Sequence, residues 1–178
     1  MKAFLSALLV VAAACGEGRA IFNVDVYSFM AGTGKDTIPY AIPPATSATA
    51  STVQRFILPP GFGSSSVDSV RITNGGANLM NTGGTGTIGF QLFFAADSAS
   101  TFTAPVALNV PVTTVTNVQT VPVVITGDLS ATVNSLFTQD TLWMRVAATG
   151  TNGGATPVTG KGVLTALQLR VVLQDKIF

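Results

Sequence analysis

Chemistry needs groups that titrate, ligate metals or attack, and this chain of 178 residues holds few of them. It contains no histidine. That excludes Ser-His-Asp and Cys-His nucleophilic machinery, histidine metal sites and haem attachment through C-x-x-C-H. The carboxylates Glu17, Asp25, Asp36, Asp68, Asp97, Asp128, Asp140 and Asp175 stand singly, and none belongs to a D-x-D calcium loop. A glycosidase needs two carboxylates flanking one bond, and no such pair is visible in the sequence. Asp97 and Asp128 each follow a strand-like run, where an aspartate folds back onto the backbone in an Asx turn. No catalytic residue, metal ligand or cofactor is assigned, and the expectation is a protein that is not an enzyme.

Two glycine-rich stretches resemble phosphate-binding loops in their letters. Gly84-Thr85-Gly86-Thr87-Ile88-Gly89 spells G-x-G-x-x-G. That motif works only with a strand before it and a helix N-terminus after it, to seat a pyrophosphate. Here a strand pattern follows, so the stretch reads as a flexible loop. In Gly32-Thr33-Gly34-Lys35-Asp36, Phe29 stands where G-x-x-x-x-G-K needs its first glycine, and Asp36 replaces the metal-binding hydroxyl. That stretch reads as a turn.

Aromatic and cationic side chains are the remaining route to function. Trp143 alternates away from the Leu142, Met144 and Val146 face and lies beside Arg145. Trp and Arg are enriched at interface hot spots, so both are candidate contacts for a partner or ligand. The same Trp could stack on a sugar, or pack against a second sheet, since Trp is mostly buried on average. Phe93 and Tyr27 pose the same question.

The N-terminus speaks to location. Met1 to Cys15 reads MKAFLSALLVVAAAC: Lys2 is its one charge, Ala3 to Val11 is apolar, Ala12 to Ala14 are small, and Cys15 is the only cysteine in the chain. This order resembles the signal of bacterial lipoproteins. The resemblance implies a lipid on the Cys15 sulfur and a membrane-tethered protein outside the cytoplasm, on the periplasmic side or the cell surface. The alanines would also suit an unlipidated export signal of the A-x-A kind, although a lone cysteine standing where lipidation needs it favours the lipid. A retained anchor is the third possibility, although thirteen residues of helix reach only about 20 Å against a bilayer core of about 30 Å.

Residues 16–178 suit one domain with a sizeable core. Lys2 accounts for one of the nine basic residues, leaving eight against eight acidic ones. A neutral body lacks the basic patch that nucleic acid requires. Charged residues make up 10% of the chain, against about 25% in an ordinary soluble domain. Such a surface is weakly solvated and tends to associate, with a protein partner, a neighbouring copy or a membrane; an uncharged but soluble secreted β-domain is the alternative.

The apolar pattern has period two, the mark of strands with one buried face. Phe22, Val24 and Val26 alternate with Asn23, Asp25 and Tyr27, and Val70 and Ile72 with Ser69, Arg71 and Thr73. Ile88, Phe90, Leu92 and Phe94 alternate with Gly89, Gln91 and Phe93, and Leu142, Met144 and Val146 with Trp143, Arg145 and Ala147. In the last segment Val163, Thr165, Leu167, Leu169, Val171 and Leu173 should share one face. Weaker strands are expected over Thr52–Leu58, Val106–Val115 and Val118–Ile125. Pro111 and Pro122 each remove a ladder donor, which places their strands at an edge. Asn74-Gly75-Gly76, Asn152-Gly153-Gly154 and Pro59-Pro60-Gly61 read as turns, and Ala41 to Ala50 as an extended surface loop. Asp128 to Phe137 alone has helical spacing, through Leu129, Val133 and Leu136. The pattern predicts an all-β fold: an antiparallel β-sandwich of immunoglobulin-like architecture, with about seven to nine strands and little helix. A single cysteine excludes that family's disulfide. The terminal Phe178 invites comparison with outer-membrane barrels. Lys176, Gln174 and Arg170 stand where those need large apolar residues, and aromatic girdles are missing.

Two functional classes remain. One is a structural or accessory subunit of a larger membrane-associated assembly, and the other a surface module that binds carbohydrate or another cell-wall component. A broad flat apolar patch of interface size would favour the first, and a cleft or platform with aromatic rings beside Asn, Asp and Arg the second.

Overall fold

The computed structural model describes residues 18–58 and 66–175. The leader, its Cys15 and the Pro59-Pro60-Gly61 stretch lie outside them. Eight antiparallel strands follow in chain order: β1 (Gly18–Asp25), β2 (Thr37–Ile42), β3 (Thr46–Ile57), β4 (Ser66–Ala95), β5 (Leu108–Val124), β6 (Gly127–Asp128), β7 (Thr141–Asn152) and β8 (Val158–Asp175). The fold is all-β, antiparallel and sandwich-like, with a strand number inside the expected range.

Its layers belong to one curled sheet. The main path runs β1-β8-β4-β7-β3; β2 extends the edge of β8, and β5 and β6 pair with β4. The 30-residue β4 makes the curl possible. Its first part, Ser66 to Gly83, pairs with β8, and its last part, Thr87 to Ala95, pairs with β7. One strand therefore serves both layers, and the apolar residues of each close on a shared core. Val70, Ile72, Leu79, Ile88, Phe90 and Leu92 of β4 meet Leu142 and Met144 of β7 and Leu167, Leu169 and Val171 of β8 there.

Alternation set most of these faces, and bulges changed the rest. Leu167 to Leu173 point inward as their spacing predicts. Val163 and Thr165 do not share that face: Gly76 pairs with Ala166 but Ala77 with Leu164, so Thr165 is an extra residue that inverts the parity. Gly162 and Val158 are buried on the other side of that bulge.

Several expected loops became strand. Asn74-Gly75-Gly76 and Gly84 to Gly89 both lie inside β4. At Gly75 a Cβ would collide with the Ile125 carbonyl, whose own N–H donates to the Gly75 oxygen at 2.9 Å. Glycine there permits close backbone approach instead of ending a strand. Ala41 to Ala50 is likewise no loop: β2 ends at Ile42 and β3 begins at Thr46, and a turn at Ala45, whose φ is +55°, carries the chain from the β8 edge to the β7 edge. The segments expected at Val106–Val115 and Val118–Ile125 are one strand, β5, bent at Asn117 with φ +51°. Asn152 to Gly154 turns the chain from β7 to β8, and Gly32 and Gly34 turn with φ of +75° and +76°, both as expected.

The helical spacing in Asp128–Phe137 yields a four-residue α1 (Ser130–Val133) continued by a 3-10 turn (Asn134–Thr138). Leu129, Val133 and Phe137 are buried beneath it. Asp128 and Asp97 make the expected local turns, accepting the backbone N–H of Ser130 at 2.9 Å and of Ser100 at 2.8 Å. These bonds and the serine hydroxyls draw both carboxyls below their usual range, with Arg71 assisting at Asp128. Stability from a depressed carboxyl is present at neutral pH and lost as the pH falls through its folded-state value.

Two buried asparagines hold the curl. The Asn81 amide shares its two hydrogens among the carbonyls of Gly83, Gly84 and Asn117, and its oxygen accepts the Tyr40 hydroxyl at 3.2 Å. It sits where β4 passes from β8 to β7. Burial raises the Tyr40 pKa, keeping that hydroxyl a donor. Asn152 donates to Ile42, Pro43 and Thr156 carbonyls and accepts the Gly154 N–H at 2.8 Å, pinning the β2–β3 turn to the β7–β8 turn.

Candidate functional site

Three of the four candidate contact residues come together, and two are committed to each other. Phe93 and Arg145 are direct cross-strand partners on β4 and β7, with Trp143 opposite Ala95 one step along the same face. The Arg145 guanidinium carbon lies 3.8 Å from the Phe93 ring centroid and 4.8 Å from that of Phe102. Its Nε–H donates to the Thr101 carbonyl at 3.0 Å. Burial opposes its charge and lowers its pKa, and the two ring faces offset that penalty. Arg145 and Phe93 are only 9% and 8% exposed. Together they anchor the 3-10 turn Ala99–Phe102 to the sheet, and Phe102 covers the cation from outside. Trp143 is half-buried. Tyr27 lies apart, half-buried in the 3-10 turn Tyr27–Phe29 and packed against the core.

The most accessible feature is the edge formed by β5. Among the described residues this strand pairs with β4 alone, so one side of its backbone carries no ladder. Its 17 residues, LNVPVTTVTNVQTVPVV, include no charge. Val112, Val118 and Val124 are 68%, 80% and 72% exposed. Proline is tolerated at positions 111 and 122 because an edge strand can leave a donor out on its solvent side. That part of the sequence reading holds.

A groove opens where β5 meets β4 and β7. Thr113 pairs with Ile88 and Val110 with Phe90, so β5 carries an extra residue over Gly89. This bulge lifts Pro111 and Val112 into a wall, and Val112 Cγ2 would lie 3.2 Å from any Cβ at position 89. The opposite wall is Thr149 and Thr151 of β7, register partners of Gly89 and Thr87. Gln91 and Asn109 close one end, with Gln91 Nε2 donating to Asn109 Oδ1 at 2.8 Å. The groove is shallow and open to solvent, with a volume of about 620 Å3, and no charged side chain lines it. By contrast, the void between the layers, lined by Met30, Ile38, Phe90 and Leu167, measures about 30 Å3 and has room for no more than a water or two.

Gln91, Asn109, Thr149 and Thr151 did not stand out in the sequence, because a polar residue on an outward strand position looks the same whether solvated or convergent, and Thr87, Gly89 and Pro111 were read only as loop and edge residues. Among the described residues no three metal-ligating side chains cluster, and no helix is long and apolar enough to cross a membrane.

No protein-family model matches the sequence, and no curated protein is significantly similar to it. Among solved structures, partial overlap exists with the infectious bursal disease virus Gx strain, at 9% identity and TM-score 0.37 over 90% of this chain and 33% of that one. This chain thus spans about a third of the viral chain's length. A subunit of Bacillus endospore appendages, described as a family of disulfide-linked pili, overlaps at 12% identity and TM-score 0.29, covering 90% of this chain and 94% of that one. TmCBM61, solved with β-1,4-galactotriose, overlaps at 9% identity and TM-score 0.29, covering 84% and 86%. Overlap of this extent is shared by unrelated β proteins, so function has to be argued from surface geometry.

Proposed function

We propose that this chain is a non-enzymatic structural or accessory subunit, held outside the cytoplasm by a lipid on Cys15 and docked into a larger membrane-associated assembly. The β5 edge is the observation that carries this reading. A long strand edge offers its free N–H and C=O groups to any other strand, and proteins normally guard such edges with charges, especially lysine. Apart from its two prolines β5 carries no such guard, and it adds three exposed valines. A partner strand laid along it would satisfy the backbone and cover the valines together.

Gentle detergent extraction should recover the protein in a stoichiometric complex. Val118→Lys places a charge on the edge without touching the core, so the complex should be lost while the unfolding midpoint stays within about 0.5 kcal/mol of wild type. Recovery only as a monomer would overturn the assembly role. Cys15→Ser tests the tether separately: the variant should appear in the soluble extracytoplasmic fraction, and equal membrane retention would rule out the lipid. A second reading, a surface module for carbohydrate or another cell-wall component, is favoured by the groove beside Gly89.

A further inference from the structure

We infer that the groove between Pro111–Val112 and Thr149–Thr151 binds a neutral oligosaccharide. The inference deepens the ligand-binding reading and rests on it; the groove shares Pro111 and Val112 with the β5 edge but not Val118 or Val124. Its volume of about 620 Å3 falls within the size range of small-ligand sites, roughly 300–1,000 Å3.

Three properties of the lining select the ligand. The first is charge: none of the side chains around the groove is ionised, so nothing compensates a phosphate, carboxylate or ammonium group taken out of water. The second is the kind of polar group on offer. Thr87, Thr149 and Thr151 present hydroxyls that make no hydrogen bond among the described residues, and each can donate and accept. The Gln91–Asn109 bond uses one donor and one acceptor, leaving the Gln91 carbonyl oxygen and the second half of the Asn109 amide for a ligand. Ligand hydroxyls, which also donate and accept, match this set, whereas an apolar ligand would leave it unpaired at a cost in affinity.

The third property is the asymmetry of the walls. Pro111 and Val112 form an apolar strip facing the threonines across the groove. A sugar ring has the same two-sidedness, with C–H groups on its faces and hydroxyls around its rim. Gly89 keeps the floor low enough for a ring to enter, because a side chain there would stand in the groove against Val112. The hydroxyl surface continues beyond the groove onto β3, where Thr49 and Ser47 pair with Thr149 and Thr151. That extension suits a chain of sugars better than a single one.

The test is titration of the full-length protein with a panel of neutral linear gluco-, galacto- and manno-oligosaccharides of three to six units, followed by amide chemical shifts, with an acidic oligogalacturonide as control. At least one neutral member should bind saturably and shift the amides of Gly89, Gln91, Asn109 and Thr149. Thr149→Val and Asn109→Ala lie on exposed positions and should each weaken binding about tenfold, one hydrogen bond apiece, without moving the unfolding midpoint. Failure of every neutral member to bind would overturn the inference. So would binding of the acidic control alone, or affinity that both variants leave unchanged. A Val118→Lys protein that has lost its assembly should still bind, which separates this outcome from failure of the subunit role.

Discussion

Asn81→Leu should destabilise the protein by about 3 kcal/mol, read as a lowered urea midpoint with an unchanged slope. Leucine keeps the branched heavy-atom shape of asparagine and is bulkier, so no cavity opens and the loss comes from unpaired polar groups with some overpacking. The carbonyls of Gly83, Gly84 and Asn117 lose their donor, and the Tyr40 hydroxyl loses its acceptor, in a site only 2% exposed. Each buried group left unpaired costs about 1–3 kcal/mol, and relaxation toward water at the nearby hairpin bend recovers part of the sum. Asn81→Asp sharpens the test. An ionised carboxylate facing three carbonyls is repelled, while its protonated form can still donate once. Its folded-state pKa is therefore raised, so the variant should regain stability as the pH falls and lose it as the pH rises. A variant as stable as wild type would mean that Asn81 is a bystander to the curl.

The second large effect is expected a few residues away. Gly84→Ala should cost about 3 kcal/mol by the same measurement. Gly84 has φ +73°, a conformation that costs an L-residue about 1–2 kcal/mol. A methyl group there also strikes the Pro157 carbonyl and lies 2.9 Å from Val158 Cα, both backbone atoms that cannot swing aside. Overpacking of this kind adds about 1–3 kcal/mol. Gly153→Ala is the control, since nothing lies within 4 Å of its Cβ position. It should stay within about 0.5 kcal/mol of wild type. Because Asn81 donates to the Gly84 carbonyl, the two substitutions should combine to less than the sum of their separate losses.

The same junction shows where sequence reading ran out. Alternation is local, so the inward faces of β1, of the second half of β4 and of residues 167–173 were legible from the spacing of their apolar residues. A bulge is decided by what the strand meets across the sheet, so nothing around Thr165 announces that the parity inverts there. The glycines at positions 75 and 84 read as chain breaks, yet the fold uses them where two backbones crowd together. Asn81 gave no signal, and Asn152 was legible as a turn residue but not as a buried one, because a buried amide and a surface amide have the same letter. Pro111 and Pro122 were the reverse case, since a missing donor is a property of the residue itself and could be read as an edge. At the candidate site, Phe93 was read apart from Trp143 and Arg145, and only the strand register brings the three together. Arg145 and Phe93 clamp a turn there, and the groove is built from threonines and amides that no spacing rule distinguishes from solvated ones.

The length of β4 has a consequence for how the chain comes into being. Its partners β5, β7 and β8 all follow it in sequence, and the last of them ends at Asp175. A nascent polypeptide therefore carries Val70, Ile72 and Leu79 of β4 without their β8 partners until residues 158–175 have been made. Partial products have no closed core to retreat into, and pairings this distant along the chain form slowly. The layer that waits for β8 keeps its apolar face open during synthesis, the condition in which unfinished chains adhere to one another.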